Sequence, residues 1–442
     1  MSNQDKPLGF WTTTSLVTGN MIGSGIFLLP ASLALYGGVS IWGWVFSALG
    51  SLALAYMFAN LARKIKGSGG PYNYTRAEFG DFMGYLVAWG YWVCMFTANA
   101  AIAIALVSYL SVFIPELKQQ GIFTLCVTLG TVWFLVFINL RGVKEAGRVQ
   151  LITTLLKVFP LLIIAVVGLF YLQPSHFQPW NLSEQSDFSA IASTAVLTLW
   201  AFLGLESASI PADEVENPEK NVPRAAVLGT LISACIYIPG TVAVMGLIEP
   251  SVLAQSNAPF ADAAALLFGD WAYYLVGGVA VVSCFGALNG WTLCVGQVPM
   301  SAAKDGLFPQ VFAEQSSKGV PVKGIVISSI LVSLLVLMNF EQRLVDQFTF
   351  IILLSTLTSV LPYLVCAVVN FRMLMRDSKS AKSKPSTITL LLAVIAILFS
   401  IWIIVNMGIT TIIWGFVLLA AAIPFYFIMK RSPQSVPAAD KS

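Results

Sequence analysis

Two ionisable side chains stand in apolar surroundings where water is scarce. Lys157 lies within LITTLLKVFP, and Glu206 lies within LTLWAFLGLESASIP. Of the 21 acidic residues, Glu206 is the one that does not fall in a polar stretch or within about a turn of its edge. Such groups cost several kcal/mol at bilayer depth unless they face protein or water. That cost makes the pair the first candidates for function. A buried carboxyl beside a cationic ligand could exchange a proton against the ligand's charge, or act as a proton-sensitive latch. The competing reading is a structural acid bonded to backbone. Lys157 follows Arg148 by nine residues, about 13 Å along a helix, too deep to snorkel easily to the surface.

Two glycine patterns supply partners for these charges. The first apolar segment reads TGNMIGSGIFLLP and the sixth reads LTLWAFLGLESASIP. Each has a Gly seven residues before a Pro: Gly23 with Pro30, and Gly204 with Pro211. Glycine lets a helix unwind without side-chain penalty. The backbone groups so freed cannot face lipid, so they must face a cavity or a ligand. A half-helix starting near Ser24–Gly25 presents N–H donors and the positive end of its dipole, which suits a carboxylate. Half-helices ending near Met21 and Leu203 present carbonyls, which suit an ammonium. Together they suit a zwitterionic α-amino acid head group. Carbonyls near the first break could also hold the Lys157 ammonium. The plain alternative for Gly23-Ser24-Gly25 is close helix packing.

These residues must be positioned by membrane helices. Of 442 residues, 57% are hydrophobic and 10% charged, against about 25% charged in an ordinary soluble protein. The chain is therefore predicted to be an all-α polytopic membrane protein. Twelve apolar segments are predicted: 10–32, 40–62, 83–113, 121–140, 149–172, 190–211, 225–248, 269–302, 322–339, 348–371, 387–406 and 409–430. The chain then reads as one transporter domain over 1–442. Its first repeat spans 10–172 and its second 190–371. Two further helices occupy 387–430, and 431–442 forms a disordered tail. If segments 1–5 repeat as 6–10, the odd number of spans inverts the second copy, and segments one and six correspond. Paired, interrupted segments at matching positions point to a transporter binding site.

Charge placement supports this arrangement. With the N-terminus inside, 21 of the 24 Lys and Arg residues fall on the inner side. Lys118 and Arg343 fall outside, and Lys157 remains in a span. That asymmetry predicts cytoplasmic termini in the cell (inner or plasma) membrane. The net charge of +3 gives no indication of a nucleic-acid partner. The six cysteines lie in apolar runs, so no disulfide framework is predicted. The polar opening MSNQDKPLGF lacks a cleavage site, so the first span is expected to serve as its own insertion signal.

GNMIGSGIFLLP in segment one, LWAFLGLESAS followed by VENPEKNVPRA at segment six, and GWTLCVGQ in segment eight resemble the amino acid–polyamine–organocation transporters. Within them, the chain is most similar to the basic amino acid/polyamine antiporters: arginine/agmatine, lysine/cadaverine and ornithine/putrescine exchangers. The resemblance covers nearly all twelve segments. It implies twelve transmembrane helices in a LeuT-like five-plus-five inverted repeat, with helices 1 and 6 discontinuous, and often a homodimer. It also implies roles by position. Met21, Ser24 and Gly25 would hold the substrate's amino and carboxylate groups, with Trp200 and Leu203 adding carbonyls. Trp291 would stack on the substrate side chain. Cys94, Met95, Asn99 and Ser355 would contact its far end. Asn20, Tyr91, Trp200, Glu206 and Tyr363 would form gates, and Glu206 with Lys157 would couple protons or cations. The residues add their own support for Trp291, which is flanked by Gly286, Gly290 and Gly296, where helices can separate. A Trp face attracts a guanidinium or ammonium by roughly 0.5–2 kcal/mol.

Lys157 departs from the decarboxylation-linked antiporters, which carry a small or apolar residue there. A Lys is more usual in proton-coupled, sodium-independent members. It argues against sodium coupling, and an added positive charge opposes a strictly cationic substrate. The leading reading is thus an antiporter exchanging a basic amino acid for its decarboxylated amine, arginine/agmatine-like, by alternating access. The alternative is a proton-coupled amino-acid symporter of broader specificity. An intramembrane enzyme would need a paired nucleophile and base, or clustered metal ligands, and the segments offer neither; no metal or cofactor is expected. A channel would call for a symmetric filter. The partners expected are a small amino acid or polyamine and the lipid bilayer. His176 is predicted to be solvent-exposed in an outer loop. The acidic run Asp213, Glu214, Glu216 is predicted to cap segment six, with a role in the inner gate as the sharper alternative.

Overall fold

The computed structural model describes residues 8–65, 69–119, 121–141, 146–209, 212, 215–317, 319–379 and 385–431. The first half of the chain forms α1 (Phe10–Met21), α2 (Ser24–Ala34), α3 (Ser40–Lys64), α4 (Pro71–Phe79), α5 (Asp81–Leu110), α6 (Ile122–Leu140) and α7 (Ala146–Gly168). It continues with α8 (Asp187–Leu199), α9 (Pro218–Leu247), α10 (Pro250–Leu253), α11 (Pro259–Phe268), α12 (Asp270–Lys304) and α13 (Val322–Asn339). The last four are α14 (Leu344–Lys379), α15 (Thr387–Val405), α16 (Ile409–Ala420) and α17 (Ala422–Arg431).

Ten spans among the described residues are long and apolar enough to cross a membrane, so the chain is an integral membrane protein. Two of the twelve predicted segments, 149–172 and 322–339, fall on α7 and α13, which are not among the ten. The predicted tail beyond 431, together with Pro211, Asp213 and Glu214, lies outside the described residues. Neighbouring Glu216 is held by a backbone contact: its N–H donates to Leu8 O at 2.9 Å.

Burial sorts the helices into a centre and a rim. The most apolar window of α5 is 94% buried, against 17% for the stretch Ile409–Phe427. α5 packs on α14 and α12, α3 on α8 and α9, and α1 on α9 and α7. Leu391, Leu398, Ile413 and Phe416, on α15 and α16, remain exposed. In lipid that exposure carries no hydrophobic penalty, whereas free backbone groups would, which is why spanning elements are helical.

Both glycine-marked segments are broken. α1 stops at Met21, Ile22 and Gly23 leave helical torsions, and α2 restarts at Ser24. α8 tightens into a 3-10 turn at Trp200–Phe202, Leu203 turns extended, and Gly204 adopts φ +102°. That torsion favours glycine. A second 3-10 turn follows at Ser207–Ser209. The breaks adjoin: a Cβ placed on Gly204 would lie 3.6 Å from the Asn20 Cβ.

Two connections are more structured than the hydropathy pattern suggested. The 63–82 loop carries α4, and the stretch between α9 and α12 carries α10 and α11. His176 is corrected: it is half-buried, and its Nδ1–H donates to the Gly246 carbonyl at 3.0 Å. The loop folds back over the end of α9, which satisfies a carbonyl there.

Candidate functional site

The two breaks open onto one cavity of about 40 Å³. A cavity of about 150 Å³ takes a benzene ring, so this one is closed down below the size of an amino acid.

From segment one, Asn20, Met21, Ser24 and Gly25 line it. The first N–H groups of α2 have no side-chain cap, because Gly23 precedes them. Those donors, at the positive end of the helix, are what a carboxylate would replace water on. From segment six come Trp200, Leu203 and Glu206. The Trp200 carbonyl already accepts the Leu203 N–H at 3.1 Å, leaving one lone pair for a ligand. Tyr91, Cys94 and Met95 enter from α5, and Trp291 from α12. The indole of Trp291 flanks the second break: a Cβ on Gly204 would stand 3.5 Å from its Cζ2. Gly25 permits the close approach of the two broken segments, since a Cβ there would lie 3.0 Å from the Ala201 Cβ and 3.2 Å from the Trp200 Cδ1.

Glu206 is buried beneath the break. The Tyr91 hydroxyl donates to its Oε1 at 2.5 Å, and the Tyr363 hydroxyl donates to its Oε2. One carboxylate therefore ties segment six to α5 and α14. Phe58 packs edge-on against Tyr363 at 5.1 Å between ring centroids. Further along the same side, Tyr72 donates to Asp305 at 2.6 Å, and Arg76 bridges Asp305 at 2.9 Å and Asp81 at 2.8 Å. Burial and the neighbouring Asp305 raise the Tyr72 hydroxyl above its ordinary pKa, so it stays the donor. These contacts link α4 to α5 and to the end of α12.

Four predicted residues do not line the cavity. Ser355 stands behind Cys94, donating to its carbonyl at 3.0 Å. Asn99 is buried, and its side-chain oxygen has no partner among the described residues. Tyr363 reaches Glu206 but not the cavity itself. Lys157 is buried against α1, where its ammonium donates to the Gly19 carbonyl at 2.5 Å. Conversely, Ser359, Ala287, Ala98 and Ile102 do line it and were not singled out from the sequence. Ser359 had a signal: it lies four residues after Ser355, one turn along the same helix face. Ala287 had none, because a small apolar residue in an apolar helix carries no mark.

Comparison with known proteins agrees with this architecture. Residues 8–431 match the family model described as amino acid permease. The chain belongs to the amino acid permease family. This permease is 37% identical over 367 residues to the cadaverine/lysine antiporter of Escherichia coli strain K12, covering 81% of this chain and 82% of the relative. It is 36% identical over 416 residues to the putrescine transporter PotE of Haemophilus influenzae, covering 94% and 95%. It is 35% identical over 363 residues to PotE of Escherichia coli K12. The permease is thus a transporter of the amino acid–polyamine–organocation superfamily, not an enzyme.

Proposed function

We propose that this permease exchanges a basic amino acid for its decarboxylated amine by alternating access. One observation carries the reading. The uncapped start of α2 and the indole of Trp291 border the same closed cavity, pairing a carboxylate site with a cation-binding face. The relatives, named for cadaverine with lysine and for putrescine, support diamine–amino acid chemistry. Arginine with agmatine belongs to the same class and stays within the proposal.

The proposal includes twelve crossings with cytoplasmic termini, α7 and α13 supplying the two beyond the ten long apolar spans. Its 23 residues give α7 a length of about 34 Å, enough to cross. Helices α1–α7 and α8–α14 would form the two inverted halves of a LeuT-like fold. The exposed apolar rim of α15 and α16 would face lipid or a second subunit of a homodimer.

Met21, Ser24 and Gly25 would hold the head group, with Trp200 and Leu203 contributing carbonyls. Cys94, Met95 and Ser359 border the far end, with Asn99 and Ser355 behind. Asn20, Tyr91, Trp200, Glu206 and Tyr363 would be gates. A second reading, proton-coupled symport, is favoured by the buried Lys157 ammonium on Gly19. Counterflow in proteoliposomes tests both. Vesicles loaded with cadaverine, agmatine, putrescine or the parent amino acids should take up labelled lysine, arginine or ornithine. Uptake that ignores the internal amine would overturn the exchange reading.

A further inference from the structure

A second cavity, about 280 Å³, opens between α2, α8, α14 and the α15–α16 turn. On the proposed topology it lies on the outer face. It is larger than the central cavity, and the helices that form it lead down to that cavity. Along α14, Leu353 in its lining and Ser359 at the central site are six residues apart, about 9 Å. Within its lining, Ser32 of α2 and Thr349 of α14 share a hydrogen bond of 2.9 Å.

Its charged lining consists of one residue of each sign, Arg343 and Asp346. The guanidinium grips the carboxylate with two bonds, Nε to Oδ2 at 2.7 Å and Nη2 to Oδ1 at 3.0 Å. Its Nη1 also donates to Gln255 at 2.5 Å. Both side chains are well exposed, 41% and 44%. An exposed ion pair contributes little net stability, so it can open to other partners. Tyr36, Ser193 and Asn406 complete a polar wall.

We infer that the Arg343–Asp346 pair is an outer docking subsite for the zwitterionic head group of an amino acid. The head group's carboxylate replaces Asp346 on the Arg343 fork, and its ammonium takes the freed Asp346. This matching is specific to a molecule with both charges. A diamine offers ammonium groups alone: it can engage Asp346, but it brings no carboxylate for the Arg343 fork and meets a like charge there. The subsite therefore favours capture of the incoming amino acid over rebinding of the released amine. The inference rests on the exchange reading above and adds a directional preference to it.

The test measures external KM in proteoliposomes of known orientation, for lysine with cadaverine, arginine with agmatine and ornithine with putrescine. Exchange by the unaltered protein tests the transport reading; the variant-to-parent KM ratio for each pair exchanged tests the subsite. Arg343→Gln should raise the external KM of the amino acid about tenfold, the loss of one good charge-assisted contact, and should not raise that of the amine, which loses only a like charge. Asp346→Asn should raise both. Arg343→Lys should restore part of the loss, because it keeps the charge without the fork. KM from the opposite face should not move. Equal shifts for amino acid and amine in Arg343→Gln, or no shift at all, would show that the pair merely caps α14 and would overturn the subsite. Should Arg343→Gln fail to accumulate, Arg343→Lys decides: an unchanged amino-acid KM overturns the proposal, and a selective rise supports it.

Discussion

The ammonium of Lys157 and the carbonyl of Gly19 lie 2.5 Å apart, bonding α7 to α1 just before the first break. The contact is charge-assisted and buried, so it should outlast an exposed pair. Transport is expected to be sodium-independent, since the Gly19 carbonyl already has a cation. Lys157→Ala should fold yet turn over slowly, with that carbonyl left unmatched, a cost of about 1–3 kcal/mol. The decisive measurement is uptake of alanine into empty liposomes with and without an imposed pH gradient. Gradient-driven accumulation would favour symport. Strict dependence on an internal counter-substrate would leave Lys157 as a fixed structural cation.

Trp291 should discriminate shape from packing. Trp291→Leu is expected to weaken binding or turnover by about 5- to 30-fold, the loss of roughly 1–2 kcal/mol of cation–π attraction. Trp291→Phe and Trp291→Tyr should retain more. Normal kinetics in the Leu variant would reduce the indole to a filler.

Glu206 accepts one phenol on each oxygen. Glu206→Gln replaces one acceptor with an amide N–H₂, which cannot accept from a phenol. One of the two contacts, to Tyr91 or Tyr363, must then reorganise. Exchange should slow, and its dependence on pH should flatten if the carboxyl titrates during the cycle. Full pH profiles of parent and variant at matched protein levels would decide; superimposable curves would remove Glu206 from proton handling.

Gly25→Ala should act on closure rather than on folding. The new methyl would meet Ala201 at 3.0 Å, an overpacking cost of roughly 1–3 kcal/mol borne where the two broken segments touch. Turnover should fall while the purified protein stays monodisperse. Thiol-reagent labelling of a cysteine introduced at Ser24 should rise if the site is held open. Unaltered transport would show that the segments need not approach so closely.

Much of this protein was legible in one dimension. Hydropathy marked the apolar segments, because a bilayer imposes its thickness on each crossing element. The two Gly-to-Pro intervals marked the breaks, because torsions such as the +102° of Gly204 suit glycine. Lys157 and Glu206 announced themselves by the cost of charge in lipid. Tertiary structure decided what surrounds each of them. It set Lys157 on Gly19 rather than in the cavity, and it divided both oxygens of Glu206 between phenols from α5 and α14. It also put Ser359 at the cavity and Ser355 behind Cys94, one turn apart on the same face. The depth at which α14 passes the site depends on its tilt against α5, and tilt is set by packing with neighbours rather than by any residue's own sequence context.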